Sequence, residues 1–264
     1  MNDRSYRPLV FAHRGGADEL PEHTLAAYLR ALDAGADGLE CDVRLTRDGH
    51  LVCVHDRRLD RTSNGRGLVS SKTLAELDAL NFGSWHPAYP ADDDVPDFSR
   101  LLTLERLLDV VCSSGRRVRL LIETKHPSRY GAEVERRLVR MLRKYGLAEP
   151  QPDAPVQVTV MSFAALALRR IRAQAPALPT VYLLELMPPG VGRGRLPFGA
   201  RTAGPGIDLV RTRPGLLPAM RAAGHQTYVW TVNELPDLEL VLEHRVDGVI
   251  TDRPRFVLEH LGGV

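Results

Sequence analysis

The sequence predicts a (β/α)8 TIM barrel, an α/β architecture carried as a single domain over residues 1–264. Three observations lead there. Short β-rich runs alternate with longer helical patterns along the whole chain. Several of those runs are continuously apolar, as parallel strands buried on both faces require. A helix-to-strand turn is also echoed near the two ends, where Ala36-Asp37-Gly38-Leu39-Glu40-Cys41-Asp42 resembles Val246-Asp247-Gly248-Val249-Ile250-Thr251-Asp252. Eight strands, nearly every one followed by a helix, in 264 residues suit such a barrel. A doubly wound open sheet is the alternative, and the echoed turn favours the barrel.

Taken in order, Leu9–Ala12 is the first strand, and His13-Arg14-Gly15 follows it directly. Thr24–Ala34 is a helix with Leu25, Tyr28, Leu29 and Leu32 on one face, and Thr24 is placed to cap it. Gly38–Asp42 is the second main strand. Leu51–His55, after the Arg47-Asp48-Gly49 turn, is a short antiparallel addition to it. Residues 57–100 are too long for an ordinary connection and carry Gly65, Gly67, Gly83, Pro87 and Pro90. They read as a small subdomain inserted after the second main strand, over one barrel end. Their Asp92-Asp93-Asp94 run reads as a solvated loop rather than a cation site. The remaining strands are Val118–Glu123, Val156–Met161, Thr180–Leu184, Ile207–Val210, Thr227–Thr231 and Gly248–Thr251. The helices between and after them are Leu104–Cys112, Ala132–Tyr145, Leu166–Gln174, Leu216–Ala223, Leu235–Glu243 and Phe256–Leu261. Met187–Gly206, rich in Gly, Pro and Arg, reads as a mobile loop.

Composition removes several function classes. An apolar share of 44% supports a full core, and a net charge of +2 gives no overall attraction to nucleic acid. No leader with an apolar core and small-residue cleavage site is visible, and no apolar stretch approaches the ~18 residues of a membrane span. A cytoplasmic protein without stable membrane insertion is expected. The cysteines Cys41, Cys53 and Cys112 are sparse and odd in number, which fits cytosolic thiols better than a disulfide frame. Cys41 alternates away from Glu40 and Asp42 and reads as a buried thiol. Arginine outnumbers lysine 32 to 3, the mark of a GC-rich coding sequence, and it singles out Lys125.

The chemistry gathers at strand tips, where such barrels place their sites. Glu40 and Asp42, two apart on one strand, point to the same face and repel unless a cation or proton joins them. Glu123 ends the next main strand, so three carboxylates make an oxygen-rich site for one divalent cation, Mg²⁺ or Ca²⁺ rather than Zn²⁺. His13 and His55 supply a general acid and a general base in either assignment. Arg14 and Lys125 bring positive charge suited to phosphate. Trp230, at the end of a strand, is placed to line a substrate pocket, or to belong to the core. Anionic substrate, cation and proton shuttle together point to phosphodiester hydrolysis.

The motifs His13-Arg14-Gly15-Gly16, Pro21-Glu22-His23-Thr24, Gly35 to Val43, Thr46-Arg47-Asp48-Gly49 and His55-Asp56 occur in the order seen in glycerophosphodiester phosphodiesterases. Ile122-Glu123-Thr124-Lys125, Val229-Trp230-Thr231-Val232-Asn233 and Asp247 to Pro254 extend the match, so the chain resembles that family over nearly its whole length. The resemblance implies a (β/α)8 barrel that uses a divalent cation to release glycerol 3-phosphate and an alcohol from a small glycerophosphodiester. It implies catalytic roles for His13 and His55, metal ligation by Glu40, Asp42 and Glu123, and phosphate contacts from Arg14 and Lys125. Many members carry Asn where His23 stands; Glu22 and His23 are expected to support the site. Attack by the glycerol 2-hydroxyl through a cyclic phosphate and direct attack by water both fit. The rivals are a lipid-headgroup phosphodiesterase on the same kind of barrel, for which no amphipathic anchor is present, and a non-catalytic binding barrel, which would normally have lost one of these residues.

Overall fold

Runs such as Leu120-Leu121-Ile122 offer no polar face to water, so each strand needs cover on both sides. A computed structural model of the chain describes residues 6–89 and 96–262. Its strands are β1 (Leu9–Ala12), β2 (Gly38–Leu45), β3 (Leu51–Cys53), β4 (Val118–Thr124), β5 (Val156–Ser162), β6 (Thr180–Leu184), β7 (Thr202–Pro205), β8 (Gln226–Val229) and β9 (Gly248–Thr251). All but β3 pair in parallel around a closed ring, β1-β2-β4-β5-β6-β7-β8-β9 and back to β1. This is the (β/α)8 barrel the sequence predicts. β3 lies antiparallel on the end of β2, with Val43 opposite Cys53 and Leu45 opposite Leu51.

The outer helices are α1 (Leu25–Asp33), α2 (Leu74–Asp78), α3 (Pro96–Ser99), α4 (Leu104–Ser113), α5 (Glu133–Lys144), α6 (Ala165–Gln174), α7 (Ile207–Thr212), α8 (Leu216–Ala222), α9 (Leu235–Glu243) and α10 (Pro254–His260). Thr24 caps α1 by accepting from the Ala27 N–H, and Thr103 caps α4 from the Arg106 N–H. No helix among the described residues is long and apolar enough to cross a membrane.

One predicted strand is corrected. Ile207–Val210 lies in α7, and the barrel strand is β7, within the stretch Met187–Gly206 that reads as a loop. Thr-Ala-Gly-Pro lacks the branched and aromatic side chains that mark strands. Here Ala203 and Gly204 sit in register with Tyr182 and Leu183 of β6, and the larger side chains of Val181 and Leu183 fill the space beside Gly204. In α7 the buried Ile207, Leu209 and Val210 meet the core from a helix, a distinction that so short an apolar run does not encode. The β6–β7 connection has two 3₁₀ turns, Val191–Arg193 and Pro197–Gly199, in place of an α-helix.

The barrel interior is filled by Phe11, Leu121, Met161, Val181, Leu183, Tyr228 and Ile250. The echoed Asp-Gly turns have a packing cause. Phe11 on β1 stands between β2 and β9, and a Cβ at Gly38 or at Gly248 would fall within 2.6 Å and 2.9 Å of its ring. The preceding aspartates accept a backbone N–H from a neighbouring strand, Asp37 from Val10 and Asp247 from Thr227, each at 2.8 Å. After β3 the chain leaves the barrel, and Leu59, Val69, Leu77, Phe82 and Leu101 pack with Val52 and Val54 into a separate apolar cluster. Asp92-Asp93-Asp94 lies outside the described residues.

Candidate active site

The C-terminal ends of the strands surround a cavity of about 310 Å³. Of the residues the sequence singles out, His13, Arg14, Glu40, His55, Glu123, Lys125 and Trp230 all line it. Asp42 lies just behind the wall, 1% exposed.

Glu40 and Asp42 leave β2 on the barrel-mouth side, and Asp42 is in register with Glu123 of β4. Cys41 between them faces the opposite way, into the core under the helices. One oxygen from each of Glu40, Asp42 and Glu123 lies within 4.8 Å of the others, and all three residues are buried. Burial and the neighbouring acids push Glu40 well above the ordinary carboxylate range and Glu123 up to about 8. Burial also opposes ionisation of Asp42, but Lys125, His23 and Arg14 outweigh it and hold Asp42 well below that range. Protein cations therefore satisfy one carboxylate of the trio, and the other two are held against their charge. An all-oxygen, strongly acidic, desolvated pocket of this kind fits a hard divalent cation, whose charge would reverse both upward shifts.

The cations around the trio are tightly held. Lys125 Nζ lies 2.9 Å from Glu123 and 3.3 Å from Asp42. Burial would lower its pKa, but Asp42 and Glu123 keep it above the ordinary value. Arg14 donates its backbone N–H to Glu40 at 3.0 Å, with its guanidinium 3.3 Å from both Asp42 and Glu22. Burial works against that guanidinium as well, and Asp42, Glu22 and Glu40 overcome it.

Each catalytic candidate histidine is oriented by an aspartate through Nδ1. His13 meets Asp252 at 2.6 Å, and Asn233 in turn donates to Asp252 at 2.7 Å. His55 meets Asp56 at 2.7 Å, and its carbonyl accepts two bonds from Arg44. Burial pushes His55 down to about 4. Asp56 is held near 2 despite partial burial, because Arg61 and His55 donate to it. Arg61 also forms two 2.8 Å bonds to the buried Glu22, the residue that faces Arg14.

His23, fully buried, reaches Asp42 through Nε2 at 3.0 Å and the Tyr28 hydroxyl through Nδ1 at 2.7 Å. Because the carboxylate only accepts, a ring proton sits on Nε2, and the Tyr28 hydroxyl beside Nδ1 also donates to the Glu40 carbonyl at 3.1 Å. Glu22 and His23 thus touch the groups they were expected to support. His126 does not line the cavity; its Nε2 lies 2.6 Å from Glu135 of α5. Sequence reasoning misses Asp252, Asn233, Asp56, Arg44 and Arg61 as individual contributors. Asp56, Asn233 and Asp252 stand inside the motifs that carry the family resemblance, and that position is the available signal. Arg61 lies in the irregular insert and gave none.

The opposite wall of the cavity is apolar. Met161, Phe163, Leu183, Glu185, Trp230, Thr231 and Ile250 form it. Trp230 donates Nε1 to the Gly204 carbonyl at 2.7 Å and meets Phe163 edge-to-face, with ring centroids 5.4 Å apart.

The sequence profile of the Glycerophosphoryl diester phosphodiesterase family matches residues 13–256. The chain is 47% identical over 247 residues to the "Probable glycerophosphodiester phosphodiesterase 1" of Mycobacterium tuberculosis, covering 94% of this chain and 90% of that protein. It is 35% identical over 253 residues to a glycerophosphodiester phosphodiesterase of Bacillus subtilis, covering 94% and 84% of the two. Its fold is similar to a phosphodiesterase of Oleispira antarctica solved in complex with the product sn-glycerol-3-phosphate. That match has a TM-score of 0.80 and 24% identity over 97% of each chain.

Proposed function

The chain belongs to the glycerophosphoryl diester phosphodiesterase family, and from that premise we propose that it hydrolyses glycerophosphodiesters to glycerol 3-phosphate and an alcohol, using one divalent cation and two histidines. The observation that carries this reading is the meeting, around one cavity, of a buried carboxylate trio, two aspartate-oriented histidines and two paired cations. The product bound to the Oleispira antarctica protein supports the same small substrate.

Glu40, Asp42 and Glu123 would hold the cation, Mg²⁺ or Ca²⁺ by their all-oxygen chemistry. When bound, such a cation supplies charge neutralisation at a phosphoryl oxygen and a lowered pKa for a coordinated hydroxyl. Arg14 and Lys125 meet the remaining phosphate charge. Arg14 is pre-aimed by Glu22, and Lys125 by Glu123. The two histidines differ in what stands behind them. Asp56 gives its charge to Arg61 as well as to His55, and His55 is held neutral at working pH. Asp252 is backed by the neutral Asn233 amide and keeps its charge for His13. His55 is then the base that takes the proton of the attacking oxygen, and His13 the acid that protonates the departing alkoxide. Where that oxygen is the glycerol 2-hydroxyl, the roles reverse: His13 takes the proton of the water that opens the cyclic phosphate, and His55 returns its proton to the 2-oxygen.

Trp230 lines the side away from the carboxylates. We read the chain as one barrel domain with residues 57–100 inserted in it, working in the cytoplasm; the free thiols Cys41, Cys53 and Cys112 support that compartment. The test is product analysis on a panel of glycerophosphodiesters, with Mg²⁺, Ca²⁺ and Mn²⁺ each returned after chelation. Release of sn-glycerol 3-phosphate is expected. No release from any member of the panel with any cation overturns the proposal.

A further inference from the structure

The substrate has two arms, and the cavity has two unlike walls. The glycerol arm carries hydroxyl groups and needs acceptors and donors. The wall built from β1 to β4 supplies them in His13, Glu40, His55 and Glu123. The alcohol arm is left to the wall built from β5 to β9. That wall is mostly apolar, and its one charged side chain is Glu185, directly after β6.

Glu185 is exposed, and among the described residues it has no hydrogen-bond or ion-pair partner. A carboxylate without a partner beside a phosphodiester site works against an anionic substrate, unless the alcohol arm brings a positive charge. The side chains that share the cavity with Glu185 suit such a charge. Trp230 has its only donor committed to Gly204, so its indole offers substrate π-surface and no hydrogen bond. Phe163, 37% exposed, stands nearly perpendicular to Trp230 at 88°. Lys125 Nζ lies 5.9 Å from the Phe163 ring, which puts the phosphate-facing cation at the foot of the aromatic corner. Two rings set at right angles, in one cavity with a free carboxylate, match the chemistry of an alkylammonium group.

Resting on the phosphodiesterase reading above, we infer that Phe163, Trp230 and Glu185 form a subsite for a cationic alcohol, an ammonium or quaternary ammonium ester of glycerophosphate. The preferred substrates are then zwitterionic, with the phosphate held on one wall and the cation on the other. The aromatic faces supply contact for the alkyl groups, and Glu185 supplies the charge.

The test compares three esters: glycerophosphocholine, its neutral isostere in which carbon replaces the quaternary nitrogen, and glycerophosphoglycerol. In the native enzyme kcat/KM is expected to favour choline over the isostere by about tenfold, the scale of one cation–π and charge contact. Glu185→Gln should collapse that ratio to about twofold. Phe163→Leu should lower kcat/KM for the choline ester by about fivefold and for the isostere by less. A native ratio near one, or a ratio unmoved by Glu185→Gln, overturns the inference. So does a Glu185→Gln loss confined to glycerophosphoglycerol, which would make the carboxylate a hydroxyl acceptor. If the native enzyme hydrolyses none of the three, the phosphodiesterase reading has failed instead.

Discussion

The two walls of the cavity are built to different standards. On the β1–β4 side every functional group is held by another: His13 by Asp252, His55 by Asp56, Asp42 by His23 and Lys125, and Arg14 by Glu22. Most of those partners are held in turn, by Asn233, Arg61 and Tyr28. On the β5–β9 side Trp230 has one hydrogen bond, Phe163 is more than a third exposed, and Glu185 is free among the described residues. Chemistry needs fixed geometry at the reacting atoms, because small misplacements are felt in the barrier. Recognition of an alcohol arm tolerates looser walls, because apolar contact has little direction. The contrast teaches where substitutions should be severe and where they should only retune.

The largest effect is expected from the carboxylate trio. Chelation should take activity to background, and Glu123→Gln should weaken affinity for the added cation in a titration read by calorimetry. A chelated enzyme that still turns over at the native rate would remove the trio from the chemistry. Next come the histidines. His13→Ala and His55→Ala should each lower kcat by at least about 10²-fold, the usual contribution of a general acid or base, with the circular dichroism spectrum unchanged. A variant keeping more than half the native rate would show its histidine to be misassigned. Lys125→Met is third, with kcat/KM expected to fall more than about tenfold, since a charge-assisted bond is worth about 1.5–3 kcal/mol. An unchanged kcat/KM with a lowered Tm would make the lysine a structural partner of Glu123 instead. The smallest effect belongs to the looser wall. Trp230→Leu should raise KM by about fivefold or less and leave kcat within about twofold, the pattern of uniform binding. If it lowers kcat as far as Lys125→Met does, the two walls are not different in kind and the comparison is broken.

The strong wall was also the legible one. His13, Glu40, Asp42, His55 and Glu123 interrupt or end apolar runs, and a charge in such a place has few physical excuses. Glu22 and His23 could be set beside the site because they stand between a strand tip and a helix cap. That they meet Arg14 and Asp42 is set by the fold, and no local pattern encodes it. What orients the histidines was less readable. Asp252 is 239 residues from His13 in sequence, and no local pattern encodes so distant a pairing. Arg61 sits where periodicity is absent. On the fold side, β7 was hidden for a compositional reason. Its small residues yield space to Val181 and Leu183 of β6, whereas Ile207–Val210 carries the branched residues of a strand into a helix. The Asp-Gly echo is a barrel signal with a packing cause: the ring of Phe11 lies against both glycines, joined by the Arg119 carbonyl at Gly38 and the Tyr228 ring at Gly248.

The pairing of β1 with β9 has a consequence for synthesis. His13 is translated 239 residues before Asp252, and the two meet across the seam where β1 and β9 pair. Everything between must be translated and docked before the imidazole is turned into position. The long separation makes this seam a late contact in folding, because distant pairings carry the largest loop-closure entropy. A nascent chain halted before Gly248 lacks both the strand that closes the barrel and the carboxylate that orients His13. The imidazole is thus turned into place only once β9 and Asp252 have followed.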